Sequence, residues 1–252
     1  MDSRTTKDAL EEMKHYAELH YPNEACGIII STGNKFKLID CKNISNEPRH
    51  NFIIDPADWL KASQQGTIEA YWHSHVNLSS APSGADRDSC GKSKKHWFII
   101  GITKNGDETT FDGPTLLKPS DEIEPLLGRV YVAGVHDCYT LVADYYKTHE
   151  SIQMGSYTHY ALIEDWCLKG HSFFEEHFEE EGFVRIKEID KEPMIGDVIL
   201  MKTTVGNPNH LGVYVGNGRM IHHTYGRLSD EVVYGGYWTK HTVAFLRHKS
   251  KC

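Results

Sequence analysis

His73-Ser74-His75 is the first place in the chain where residue types and spacing suggest chemistry. Side chains two apart on a strand share a face, so both imidazoles can meet one ion. With sixteen histidines in 252 residues, about one His-x-His arises by chance, so the motif has to be weighed with its surroundings. Asp86 follows as an oxygen ligand, and two histidines with one carboxylate make a catalytic zinc set that keeps a position open. Upstream, Glu24 stands in Pro22-Asn23-Glu24-Ala25-Cys26-Gly27, directly before Ile28-Ile29-Ile30, where a carboxylate can serve as general base. Ser83 can donate a hydrogen bond to a developing oxyanion. Each residue also has a plainer role. Ser83 and Asp86 have the spacing of a helix N-cap with an acidic third residue. His73 and His75 can be surface histidines, and Glu24 a solvated turn residue.

The second constellation is Gly134-Val135-His136-Asp137-Cys138, followed by an amphipathic stretch in which Leu141, Val142, Tyr145 and Tyr146 mark one helical face. Asp137 is placed to cap that helix, which sets Cys138 in its first turn. The partial positive charge there favours a thiolate, although a lone cysteine at such a place can equally be structural. A nucleophilic cysteine needs a histidine base. His210 opens the alternating stretch His210-Leu211-Gly212-Val213-Tyr214-Val215, and Gly216-Asn217-Gly218 turns it back into Arg219-Met220-Ile221-His222-His223. A three-residue loop pairs Gly212 with His222 and sets His222 beside His210. A two-residue Asn-Gly turn sets His223 there instead. Periodicity leaves both open.

The elements that must position these residues are legible in outline. In the first half the pattern predicts a helix over residues 6–19 and strands over 27–31, 35–41, 51–54, 68–75 and 97–103. In the second it predicts helices over 138–147 and 156–168, then strands over 183–188, 197–202, 210–215, 219–224 and 242–247. The punctuation of Asp112-Gly113-Pro114 and Lys118-Pro119-Ser120 marks a seam, giving two α+β domains, 1–117 and 118–252. A formal net charge of −8 argues against a general nucleic-acid partner. No apolar run approaches the roughly 18 residues of a membrane span, and the first residues lack the apolar stretch of a signal peptide. Six scattered cysteines without a Cys-x-x-Cys pair speak against a zinc ribbon or a disulfide scaffold.

Glu24, His73-Ser74-His75, Ser83 and Asp86, at this spacing, resemble the JAMM (JAB/MPN) metalloprotease motif, although that family usually has proline where this chain has Val76. The resemblance implies zinc held by His73, His75 and Asp86, Glu24 as base, Ser83 as oxyanion helper, and hydrolysis of a peptide or isopeptide bond. Asp137-Cys138 with the stretch 210–222, preceded by Pro193-Met194-Ile195-Gly196-Asp197-Val198, resembles the NlpC-type papain-fold cell-wall peptidases. It implies Cys138 as nucleophile, His210 as base, and His222 rather than His223 as the group that orients it. Tyr131 matches that family's tyrosine near the nucleophile, while Tyr139-Thr140 replaces its usual serine-glycine. The implied substrate is the γ-D-glutamyl to diamino-acid bond of peptidoglycan stem peptides. In tandem the halves resemble the tail assembly proteins of lambda-like siphophages. That implies other tail-tip proteins and peptidoglycan as partners, assembly in the host cytoplasm, and a place in the virion tail tip during genome delivery. The rival expectation is a structural tail-tip component with one or both sites idle.

Overall fold

A computed structural model of the chain describes residues 3–155, 166–186 and 192–252. Its contacts divide it into two compact units, Met1–Glu122 and Ile123–Cys252. Among the described residues no helix is long and apolar enough to cross a membrane.

The first unit runs α1 (Ser3–His20), β1 (Cys26–Thr32), β2 (Lys35–Cys41), α2 (Pro56–Gln65), β3 (Thr67–Val76), α3 (Gly84–Ser93), β4 (His96–Asn105) and β5 (Glu108–Leu117). The sheet order is β2-β1-β3-β4-β5, with β3 and β4 parallel and joined through α3. β1 is an unbroken apolar run because it is covered on both faces. Ile29 packs with Met13, Ala17 and Trp72 on the side of α1, while Ile28 and Ile30 pack with Ala62 of α2 on the other. Each such isoleucine, fully buried, contributes about 1.5–3 kcal/mol. Gly27 is required between them. A Cβ there would lie 2.1 Å from the Ile39 carbonyl oxygen and 2.3 Å from the Trp72 indole nitrogen.

Several features depart from the sequence pattern. Residues 51–54 form no strand; only Ile54 bridges to Asn43. The Asn43 side chain takes over the ladder there, donating to the Asn51 carbonyl at 3.1 Å and accepting from the Ile53 N–H at 3.1 Å. Gly113-Pro114 is not linker but the interior of β5, an edge strand, where proline's missing donor is tolerated. α2 and α3 also went unread. α2 does carry a start signal, Asp55 accepting from the Ala57 N–H ahead of Pro56.

The second unit runs α4 (Cys138–His149), α5 (Phe173–His177), β6 (Phe183–Ile186), β7 (Val198–Met201), β8 (His210–Gly216), β9 (Arg219–His222), β10 (Asp230–Val233), α6 (Tyr237–His241) and β11 (Thr242–His248). Its sheet has the order β10-β9-β8-β7-β11-β6 and is antiparallel throughout. α4 lies across β8 and β9, burying Leu141, Val142, Tyr145 and Tyr146 against Leu200, Leu211, Val213 and Leu246. The opposite face of the sheet packs Ile199, Met201, Tyr214, Met220 and Phe245. Most of the helix expected over 156–168, residues 156–165, lies outside the described residues, as do residues 187 and 188 of the strand expected over 183–188.

Two candidate active sites

In the first unit, the β1–β3 register pairs Cys26 with His73; beyond it the Ser74 N–H donates to the Ala25 carbonyl and the Ala25 N–H donates to Ser74 Oγ, both at 2.9 Å. Continuing that register sets Glu24 opposite His75. His73 and His75 project from one face of β3, and α3 begins beneath them. The Nε2 atoms of the two histidines are 3.1 Å apart. Asp86 places one carboxylate oxygen 3.1 Å from His73 Nε2 and the other 3.2 Å from His75 Nε2. Three donor atoms on a tetrahedral zinc at 2.0–2.1 Å would be separated by roughly 3.3 Å. The three side chains therefore present a zinc-sized set of donors, all buried.

His75 is held in the tautomer a ligand requires. Its Nδ1 donates to the Ser79 carbonyl at 2.9 Å, which leaves the Nε2 lone pair facing the other two donors. The loop carrying that carbonyl reaches the site because residue 101 is glycine; a Cβ there would stand 2.4 Å from the Leu78 carbonyl oxygen. The Ser80 N–H and hydroxyl, both donating to Asp112, anchor the same loop at 2.7 and 2.8 Å. The sequence pattern assigns none of Ser79, Ser80, Gly101 or Asp112 to the site, since each acts through backbone or loop geometry that no spacing reveals. Phe52 stacks on His73 at 4.5 Å, and the His73 Nδ1 is buried with no partner among the described residues.

Asp86 also closes a capping box with Ser83. Ser83 Oγ accepts from the Asp86 N–H at 3.1 Å, and an Asp86 carboxylate oxygen accepts from the Ser83 N–H at 2.7 Å. The capping role and the ligand geometry thus coexist. Burial works against the Asp86 charge, but the imidazoles of His73 and His75 and the Ser83 side chain outweigh it and hold the carboxyl well below its ordinary value. Glu24 is buried, which pushes it up to about 8, against a lowering influence of His75 and a raising one of Asp86.

In the second unit, Asp137 caps α4. It accepts from the Thr140 N–H at 2.9 Å while Thr140 Oγ1 accepts from the Asp137 N–H at 2.8 Å. Thr140, at a position where the resembled family has glycine, completes this box. Cys138 is the first helical residue, and its sulfur receives the backbone N–H groups of Leu211, Tyr139 and Cys138 itself. Leu211 is the neighbour of His210, the first residue of β8. His210 Nε2 lies 3.0 Å from His222 Nδ1 on β9, both rings buried. Trp238 packs edge-on against the His222 ring, with centroids 4.4 Å apart.

Which of His222 and His223 stands beside His210 is decided by a bulge. The turn is the two-residue one, with Asn217 and Gly218 both at positive φ and Arg219 paired with Gly216. A register shift between Tyr214 and Gly216 takes up one residue, so Gly212 still pairs with His222. His223 turns away, faces the Arg227 carbonyl at 3.1 Å and meets Tyr131 edge-on.

Burial opposes the thiolate that the helix start favours. Burial, reinforced by Asp137, pushes the Cys138 thiol up to about 12 despite the N–H groups at its sulfur. Burial, with His222 and His223, pushes His210 down to about 3. Desolvation thus opposes the charged forms of both groups more strongly than the helix terminus favours the thiolate.

Residues 128–247 match the NlpC/P60 family, and residues 6–112 match the prokaryotic homologs of the JAB domain. The chain is 31% identical over 242 residues to tail tip assembly protein K of Escherichia phage N15, covering 95% of this chain and 94% of that protein. It is 30% identical over 197 residues to tail tip assembly protein K of Escherichia phage lambda, covering 78% and 90%. Among solved structures it resembles an NlpC/P60 family protein from Bacillus cereus, with TM-score 0.31 and 16% identity over 94% of this chain and 66% of that one. It also resembles protein DSY2949 from Desulfitobacterium hafniense, with TM-score 0.34 and 20% identity over 47% and 92%.

Proposed function

The chain belongs to the tail tip assembly protein K family, with a JAB-like half and an NlpC/P60 half, and from that premise we propose that it is a two-site hydrolase of the phage tail tip. Its cysteine half cleaves stem peptides of peptidoglycan, at the bond between D-glutamate and the diamino acid, and so helps the tail through the cell wall. The observation that carries this reading is the buried His210–His222 pair at 3.0 Å, brought by β8 and β9 to the strand whose Leu211 N–H meets the Cys138 sulfur.

The chemistry follows from these groups. His210 Nε2 is engaged with His222, so Nδ1 is left to take the thiol proton as sulfur attacks the peptide carbonyl. The resulting imidazolium returns that proton to the departing amine as the C–N bond breaks. The N–H groups of the first turn of α4 face the sulfur and stabilise negative charge developing there. Burial of the pair keeps bulk water from competing.

In the JAB-like half, His73, His75 and Asp86 would hold zinc, which supplies Lewis acidity for peptide or isopeptide hydrolysis. Glu24, set opposite His75 just ahead of β1 and buried, would carry a proton, and Ser83, whose oxygen accepts from the Asp86 N–H, would serve as the oxyanion helper. We assign this half to processing during tail assembly with other tail-tip proteins in the host cytoplasm.

The test is mass spectrometry of soluble fragments released from purified peptidoglycan by wild type and by Cys138→Ala. Stem peptides cut after D-glutamate by wild type alone are expected. No cleavage by folded, reduced wild type would leave the cysteine half as a structural part of the tail tip.

A further inference from the structure

β10 was not visible in the sequence, yet it pairs with β9 in a register that sets Asp230 directly opposite His222. The Asp230 carboxylate lies 3.3 Å from His222 Nε2, on the far side of the ring from the 3.0 Å contact between His222 Nδ1 and His210 Nε2. Three groups from three adjacent strands therefore form one line.

The line has two possible proton arrangements. In the first, His210 Nε2–H donates to His222 Nδ1, and His222 Nε2–H donates to Asp230. In the second, His222 Nδ1–H donates to His210 Nε2, which leaves a bare His222 Nε2 lone pair against a carboxylate. Two acceptors cannot share a hydrogen bond, so a carboxylate at this place selects the first. Only the first leaves His210 Nδ1 without a proton and able to accept one from a thiol.

We propose that Asp230 is a positioning residue of the cysteine site: through His222 it fixes His210 in the tautomer whose Nδ1 is the base. The inference rests on the peptidase reading above for its catalytic meaning, but the tautomer itself can be observed without turnover. Asp230 sits on the sheet-edge strand with its side chain more than half exposed, so its replacement leaves the core intact. The anchor of this edge is separate. Ser229 N–H donates to the Arg129 carbonyl at 3.0 Å, and Ser229 Oγ accepts from the Arg129 N–H at 2.9 Å.

The experiment is a ring nitrogen–proton correlation spectrum of the full chain labelled at histidine nitrogens, with His210→Gln and His222→Gln giving the assignments. It is paired with kcat and KM on a soluble stem peptide. In wild type both His210 and His222 carry their proton on Nε2. Asp230→Ala is expected to populate the Nδ1–H form of His222 and to lower kcat about tenfold, with KM within about twofold. Asp230→Asn, which keeps an acceptor oxygen, restores both. An unchanged tautomer in Asp230→Ala, or a changed tautomer with unchanged kcat, overturns the proposal. Failure of the peptidase reading looks different, since there Cys138→Ala would match wild type in turnover.

Discussion

The two candidate sites use burial in opposite ways. At the JAB-like site a carboxylate stays ionised among imidazoles, with three donor atoms turned toward one point. At the NlpC/P60 site, burial disfavours the charged forms of thiol and imidazole alike, and the hydrogen-bonded line of His210, His222 and Asp230 lies wholly within the chain. The first cluster is shaped to take a cation; the second is closed by its own hydrogen bonds. A buried group keeps its charge only where specific partners outweigh desolvation. Asp86 has two imidazoles and the Ser83 side chain, whereas the groups that favour charge on Cys138 are N–H dipoles.

The sharpest way to separate the sites is to remove one without the other. Cys138→Ala should lower release of stem peptides by more than about a thousandfold, as loss of a covalent nucleophile does, while zinc content by elemental analysis stays at one per chain. Conversely, Asp86→Ala should bring zinc to background and leave peptidoglycan digestion within about twofold. In the wild type, zinc at a hundredfold excess over its Kd should add about 2.7 kcal/mol to the stability of the JAB-like half, read as a rise in Tm that Asp86→Ala abolishes.

A subtler break leaves every donor in place. Gly101→Val should push the Leu78–Ser80 loop off β4 and take the Ser79 carbonyl from His75, weakening zinc binding about 10–100-fold in a chelator competition. The charge contrast itself can be titrated. An unfolded imidazole takes its proton near 6.5, whereas folded His210 stays neutral down to about 3. Its contribution to stability is thus present above pH 6.5 and is lost as pH falls from there toward 3. Thermal melts between pH 7 and 4 should show the decline, shallower in His210→Gln. Alkylation of Cys138 should likewise climb with pH through 9, and a plateau between pH 5 and 8 would mean an ion pair instead. The smallest effect is at Ser83. Ser83→Ala should cost about 1 kcal/mol as loss of a helix cap; a rate loss beyond a hundredfold with zinc retained would mark its hydroxyl as an oxyanion donor.

The sequence was most legible where chemistry and local structure share residues. Asp137 read as a cap and is one, and β1 to β4 lie close to their expected bounds because β-branched runs and turns delimit them. α3 was opaque because Gly84, Gly91 and its many polar residues leave no apolar stripe, even though its capping box was visible. β10 begins with Asp230-Glu231 on a solvent-facing edge, where alternation carries no burial signal. The hairpin shows the deeper limit. Its favoured two-residue turn formed, yet the histidine that this turn alone would present is not the one on the site. A bulge costs one residue and flips every side chain after it. Such a bulge is decided by what the following residues bury, and that is settled only in the assembled sheet.

The doubled role of Asp86 bears on how such a chain can lose the capacity to hold an ion. One of its oxygens both accepts the Ser83 N–H and faces His75 Nε2. Asparagine would keep that acceptor for the helix start while surrendering the negative charge. The mildest step toward an idle site is therefore a one-atom exchange that folding does not notice, and a lineage could drift across it with its architecture unscarred.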